Sequence, residues 1–395
     1  MDKIISKKIL IYILSFVLYS KIVSAISLDN SIKQNDSILY DLIIKNGFIY
    51  DGSGGIPFKG DLGIINDRIE FIGNSVGLKS KKIIFADGKV VSPGFINMLS
   101  WAVDDLIIDG RSQGDIRQGV TLEVFGEGVS MGPLNSEMQK DRTANGLGIG
   151  EVDFDLNWVT LGDYLQFLEN KGVSPNVASF VGATTLRVHQ IGYEDRPPSK
   201  QELDSMKLLV RQAMEEGAMG IGSSLIYAPA FYASTDELIE ICKVASEYGG
   251  IYTSHLRSEG NRFLESVDEF LKIASEANID SEIYHLKAGG KTNHYKLDLV
   301  IKKIDSARAA GLNITADMYT YTAGATGLDA SMPPWVQEGG YSEWKKRLQD
   351  PEIRKKVAKE ISTPTDEWEN LYLQAGSPKN LILIGFANPD LRYLT

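Results

Sequence analysis

The chain has a single cysteine, Cys242, so no disulfide can close within it. Cationic residues are also short: 41 Lys and Arg stand against 52 Asp and Glu, a formal net charge of −11. That balance excludes nucleic acid as a partner, because phosphate recognition needs clustered Lys and Arg. The acidity itself reads as a solvated surface. Histidine is scarce, with four in 395 residues, so the position of each one carries weight. What remains is an ordinary globular composition, 43% hydrophobic. It suffices for one large domain with an appendage, or for two, with a core that needs no covalent staples.

Lys3, Lys7 and Lys8 precede an apolar run from Ile9 to Leu18, and Val23-Ser24-Ala25 then supplies small residues. Basic, apolar and small residues in that order make a secretory signal peptide, expected over residues 1–25. The run falls short of the ~20 residues that span a bilayer. The expectation is therefore an exported protein, periplasmic or secreted, with no stable membrane anchor after cleavage; an uncleaved anchor is the alternative. No cysteine follows the run directly, which excludes lipid attachment there. Export without disulfides leaves stability to the core. Residues 26–39 read as a polar linker.

From Tyr40 the texture becomes short apolar runs separated by turn residues. Leu42-Ile43-Ile44 and Phe48-Ile49-Tyr50 flank Asn46-Gly47, a hairpin signal. Further strands are expected at Leu62–Ile65, Ile69–Ile72, Lys82–Phe85 and Val90-Val91, giving a small β-sandwich-like domain over residues 40–92. After Pro93-Gly94 strands and helices alternate through residues 93–395. Strand-like runs fall at 95–99, 120–125, 177–181, 219–223, 251–255, 282–286 and 314–317. Amphipathic helices are predicted at 200–216, 235–248, 261–278 and 296–310. This alternation predicts an α/β fold, a parallel (β/α)8 TIM-type barrel with helices outside. Seven strands are countable where closure takes eight, so the barrel is expected to be incomplete. Leu381–Phe386 is a further candidate strand.

Two histidines stand out by position. His255 ends the run Ile251–His255 and His285 ends Glu282–His285, thirty residues apart, each followed two positions later by a basic residue. Equivalent positions on neighbouring strands face one way, which would place both imidazoles at the C-terminal mouth. Neutral imidazole suits zinc, and a catalytic zinc takes three protein ligands. Two polar residues satisfied at strand ends is the competing reading. Asp317 closes the next run, where a carboxylate could orient a histidine, hold substrate or cap a helix. Lys287 and Arg257 could pair with a substrate carboxylate over the same opening, or merely be solvated. His189 and His294 fall in expected loops and read as structural.

Several runs together resemble the N-acyl-D-amino-acid deacylase (D-aminoacylase) branch of the amidohydrolase superfamily. They are Pro93-Gly94-Phe95-Ile96, Gly119-Val120-Thr121, the stretch from Gly217 to Pro229, the run from His255 to Gly260, His285-Leu286-Lys287, and the stretch from Ala316 to Ala323. The resemblance covers residues 40 to 345. It implies a metal-dependent hydrolase barrel that cleaves the linear amide of a small-molecule N-acyl-D-amino acid, releasing D-amino acid and carboxylate through a zinc-activated water. It further implies one tightly bound Zn2+, ligated by His255 and His285, with Lys287, Tyr227 and Tyr319 lining the substrate site. The family's third ligand, a Cys after the second strand, has no counterpart here. Glu127 in Phe125-Gly126-Glu127-Gly128 could replace it, since zinc accepts carboxylate. Glu123 is the weaker candidate, and a Glu without a catalytic role is the alternative.

The chain departs from the family twice. Where His-x-His is expected after the first barrel strand it has Leu99-Ser100-Trp101. Neither Leu99 nor Trp101 can ligate a metal, and Trp101 could instead wall an acyl pocket. The eighth strand, its general-base Asp and the segments completing the β-domain are expected beyond residue 395, so the chain reads as part of a longer product. The alternatives are a catalytically impaired fragment or a non-catalytic ligand-binding protein on the same scaffold, and a hydrolase of another amide, such as a cyclic imide or D-configured dipeptide.

Overall fold

The computed structural model describes residues 38–145, 156–386 and 388–394. The expected signal peptide lies outside the described residues, as does nearly all of the expected linker. Two compact units are present, Met1–Pro93 and Gly94–Thr395. Among the described residues no helix is long and apolar enough to cross a membrane.

In the first unit, β1 (Leu39–Ile49), β2 (Phe58–Ile65), β3 (Arg68–Gly73), β4 (Lys79–Phe85) and β5 (Val90–Val91) form one mixed sheet rather than two facing ones. The order is β3-β2-β1-β4, and β5 extends the parallel pairing with β1. The expected hairpin at Asn46-Gly47 is absent: β1 runs through it with a register shift between Ile44 and Gly47. Asn46 takes φ 60° there, and the Asp61 carboxylate accepts its N–H at 2.8 Å, so a bulge replaces the turn. The hairpin falls at Asn66-Asp67 instead, between β2 and β3.

The second unit contains β6 (Phe95–Asn97), β7 (Val120–Phe125), β8 (Asn176–Ser179), β9 (Val181–Gly182), β10 (Gly220–Ser224), β11 (Ile251–His255), β12 (Asp280–Ile283) and β13 (Ile314–Ala316). All their pairings are parallel. Strands β8 and β9 are one strand interrupted at Phe180, so the expected seven are present. Their ladders run β6-β7-β8 and β9-β10-β11-β12-β13, and no closed barrel is traced among the described residues. The candidate strand at 381–386 does not form.

Helices cover one face of these strands. Phe263–Ala277 buries Phe263, Val267, Phe270, Ile273, Ala274 and Ala277, the three-and-four spacing of an amphipathic helix. Its Phe270 stacks on Tyr252 of β11, ring centroids 5.5 Å apart. Because side chains alternate along a strand, Tyr252 and Ser254 face that helix layer, whereas Thr253 and His255 face the other way. Side-chain caps begin several of the helices. Ser199 and Glu202 form a capping box before Lys200–Glu215, and Ser234 accepts the Glu237 N–H before Thr235–Glu247.

One ion pair lies inside the helical layer. Arg187 Nη1 donates to Glu237 Oε2 at 2.7 Å, with both side chains almost fully buried. Burial is the larger influence on Glu237 and raises its pKa, against the pull of Arg187. Arg187→Ala leaves a buried carboxylate without its partner. It is expected to lower unfolding stability by about 3–5 kcal/mol in urea titration. An unchanged midpoint would show the pair to be dispensable.

Candidate metal centre

Three side chains that are distant in sequence meet past the C-terminal ends of β7, β11 and β12. Glu127 follows β7 between two glycines. Gly126 has φ 105°, and a Cβ there would lie 2.4 Å from the Phe180 carbonyl oxygen. Gly128 has φ 72°, with Ser224 Cβ 2.8 Å from the same construction. Only glycine fits either position, and the double turn carries Glu127 inward, where it is 7% exposed.

His255 is the last residue of β11, as expected, but His285 does not end β12. The strand stops at Ile283, which pairs with Ser254, so His255 stands level with Tyr284. Simple alternation would send His285 to the opposite face. Instead His285 adopts φ 37°, a left-handed conformation rarely held by a non-glycine residue, and its ring swings to within 4.5 Å of the His255 ring. Asp317, just past β13, holds this turn: its Oδ1 accepts the His285 N–H at 2.6 Å.

The result is a buried group of two nitrogens and one oxygen. Glu127 Oε1 lies 3.3 Å from His255 Nδ1 and 3.3 Å from His285 Nε2. All three donor atoms fall within 4.8 Å of one another. Two ligands of a tetrahedral zinc stand roughly 3.3 Å apart when each is about 2.0 Å from the metal. A direct hydrogen bond between charged partners would draw in to about 2.8 Å. The spacing therefore suits three atoms arranged around an ion better than a collapsed ion pair, and the donor types are those zinc accepts.

The electrostatics agree. Burial pushes the Glu127 carboxyl up, but contact with His255 and His285 outweighs it and holds the pKa at about 2. Burial likewise opposes the charge of His285, yet Glu127 and Glu259 raise its pKa to about 9. Ionised acids thus flank these imidazoles, an arrangement that could hold a cation in place of a proton.

The other expected residues separate into neighbours and bystanders. Tyr227 meets His255 edge-on at 5.4 Å, and its hydroxyl pairs with Thr326 Oγ1 at 2.8 Å. Burial pushes the Tyr227 phenol up, so it keeps its proton. Tyr319 lies 6.1 Å from the His285 ring, with Lys287 Nζ 5.4 Å from the Tyr319 centroid. Lys287 is beside the centre but already paired with Glu259 at 2.7 Å. Asp317 acts on the backbone of His285. Trp101 donates its indole N–H to Glu127 Oε2 at 2.9 Å. Glu123 is buried away from the imidazoles, accepting from Ser100 and Ser112. His189 and His294 do not join the group.

Arg257 does not stand over the opening. Its guanidinium forks onto Glu269 and donates to the Phe231 and Ala233 carbonyls. Those bonds tie β11 to the Phe263–Ala277 helix and to the 3-10 turn after β10. Glu259, in contrast, was not singled out from the sequence. It is 7% exposed and faces both imidazoles. Its place four residues after His255 was the available signal.

No family model matches the chain. A D-aminoacylase of Alcaligenes xylosoxydans xylosoxydans is 33% identical over 299 residues, 75% of this chain and 60% of that protein. An N-acyl-D-glutamate deacylase structure from Bordetella bronchiseptica, complexed with zinc and a phosphonate mimic of the tetrahedral intermediate, matches with a TM-score of 0.66. Its identity is 28%, over 72% of this chain and 59% of that one. A D-aminoacylase structure, from a study of its binuclear metal centre, matches with a TM-score of 0.63 at 30% identity, over the same shares. The chain thus spans about 60% of the length of the D-aminoacylase it matches.

The placement of Arg257 has a testable consequence. Arg257→Ala strips Glu269 of its fork and leaves two carbonyls unpaired. It is expected to reduce stability by about 2 kcal/mol or more while leaving zinc stoichiometry intact. Loss of bound zinc at unchanged stability would return Arg257 to the site.

Proposed function

We propose that the protein, which is similar to a D-aminoacylase and an N-acyl-D-glutamate deacylase, hydrolyses the linear amide of N-acyl-D-amino acids to D-amino acid and carboxylate. The observation that carries this reading is the buried set of His255 Nδ1, His285 Nε2 and Glu127 Oε1 at zinc-like spacing. His255, His285 and Glu127 would hold a zinc ion, and the chemistry it would supply there is Lewis acidity.

The chain's own residues do the remainder. Lys287 keeps a third of its side chain exposed beside the centre and offers a point charge to the substrate carboxylate. Tyr227, protonated at any ordinary pH, donates a hydrogen bond toward the reacting group, and Tyr319 walls the other side. We assign one ion rather than two. Leu99 and Trp101 offer no ligand atoms, and the Trp101 N–H already occupies the second oxygen of Glu127. Among the described residues both carboxylates at the centre are engaged, so we assign the proton carrier to none of them. The basic, apolar and small residues of positions 1–25 support export to the periplasm or the medium as part of this reading.

Zinc content and turnover test the proposal together. Wild-type protein is expected to hold one zinc per chain, and His255→Ala and His285→Ala each only a small fraction of that. Hydrolysis of a panel of N-acyl amino acids is expected to favour the D-configured members and to vanish on chelation. Full zinc occupancy in the double variant would defeat the ligand assignment, and zinc binding without turnover of any panel member would leave a binding protein.

A further inference from the structure

We propose that Glu259 is the common anchor of the metal centre, a positioning residue whose single carboxylate orients both imidazoles from behind and holds Lys287 beside them. The inference rests on the reading of Glu127, His255 and His285 as metal ligands.

Each imidazole has two ring nitrogens, and at both residues one points to Glu127 while the other points to Glu259. Glu259 Oε1 is 3.1 Å from His285 Nδ1, and Oε2 is 3.8 Å from His255 Nε2. At 3.8 Å the Glu259 oxygen lies beyond hydrogen-bond reach, so His255 Nε2 is buried without a hydrogen bond, and Glu259 is the carboxylate that faces it. A neutral imidazole that gives a lone pair from one nitrogen carries its proton on the other. Buried, that N–H needs an acceptor, and metal-bound histidines take one from a carboxylate, a carbonyl or water. Here one carboxylate faces both rings.

The surroundings of Glu259 fix it in place. Its backbone carbonyl accepts the Gly289 N–H at 2.7 Å, joining the loop after β11 to the loop after β12. The preceding Ser258 donates to the buried Glu369 at 2.6 Å and accepts the Gly260 and Arg262 N–H groups. Lys287 Nζ lies 2.7 Å from the Glu259 carboxylate and 3.0 Å from His285 Nδ1; once Nδ1 carries its proton, the ammonium is left to Glu259 and the His285 carbonyl. A salt bridge serving Lys287 alone would not require both remote ring nitrogens to face the same acid.

The test is cobalt(II) as a probe of the intact protein, by competition with a chromophoric chelator and by the visible absorption of the bound ion. Glu259→Gln keeps the size of the side chain and loses its charge. It is expected to weaken cobalt affinity 10- to 100-fold and to change the absorption of the bound ion, with folded-state circular dichroism retained. Glu259→Asp keeps the charge one methylene further back and is expected to fall between the two. This ordering of wild type, Asp and Gln also decides the matter if the Gln variant folds poorly, because Asp equal to wild type in affinity and spectrum would overturn the proposal. Equal affinity and spectrum in wild type and Gln would overturn it too, leaving the metal centre standing. If wild-type protein binds no cobalt, the ligand assignment fails first and this inference goes with it.

Discussion

A carboxylate buried between two imidazoles is the constraint on which the rest of the second unit turns. Glu127 has almost no access to water, and an isolated charge in such a place would cost several kcal/mol. It stays ionised because His255 and His285 lie on either side of it. Around that requirement the chain makes several local concessions. Two glycines at positive φ deliver the acid, His285 accepts a left-handed backbone, and Asp317 satisfies the amide that this conformation exposes. Strain and glycine cluster where geometry matters more than local stability.

The cations near the centre show how similar residues diverge in role. Lys287 and Arg257 each follow a histidine by two positions, and in sequence they look equivalent. In space Arg257 is locked by a fork onto Glu269 and two carbonyls, whereas Lys287 keeps a third of its side chain exposed beside the imidazoles. Guanidinium suits the first task because its planar donors match several fixed acceptors at once, and ammonium suits the second because it is a compact, mobile charge. Trp101 is a comparable case. Its indole meets the outer oxygen of Glu127, so this residue, which cannot ligate metal, takes part in the site as a hydrogen-bond donor.

Much of the fold was legible in one dimension because its signals are local. Alternating strands and amphipathic helices recur at the length of a strand-helix-strand repeat, and two of the helices begin at Ser residues that cap them. Strand position singled out His255, His285 and Lys287, motif similarity added Tyr227 and Tyr319, and the structure brings these side chains together. Local signals misled where two structures share one pattern. Asn46-Gly47 suits a bulge as well as a hairpin, since both place a residue at positive φ, and long-range pairing of β1 with β2 and β4 decided between them.

The sequence by itself determined which atoms were on offer: four histidines, an acid between two glycines, no ligand at residues 99 and 101, and strand runs that end near the chemistry. Only tertiary structure decided which of those atoms meet. His285 reaches His255 because β12 ends one residue before the level of His255 and the chain then turns left-handed, a fact of register that no pattern of residue types encodes. Glu259 faces both rings for the same reason. Distances between loops on separate strands follow from how the strands pair and pack, whereas composition and spacing report only on neighbours along the chain.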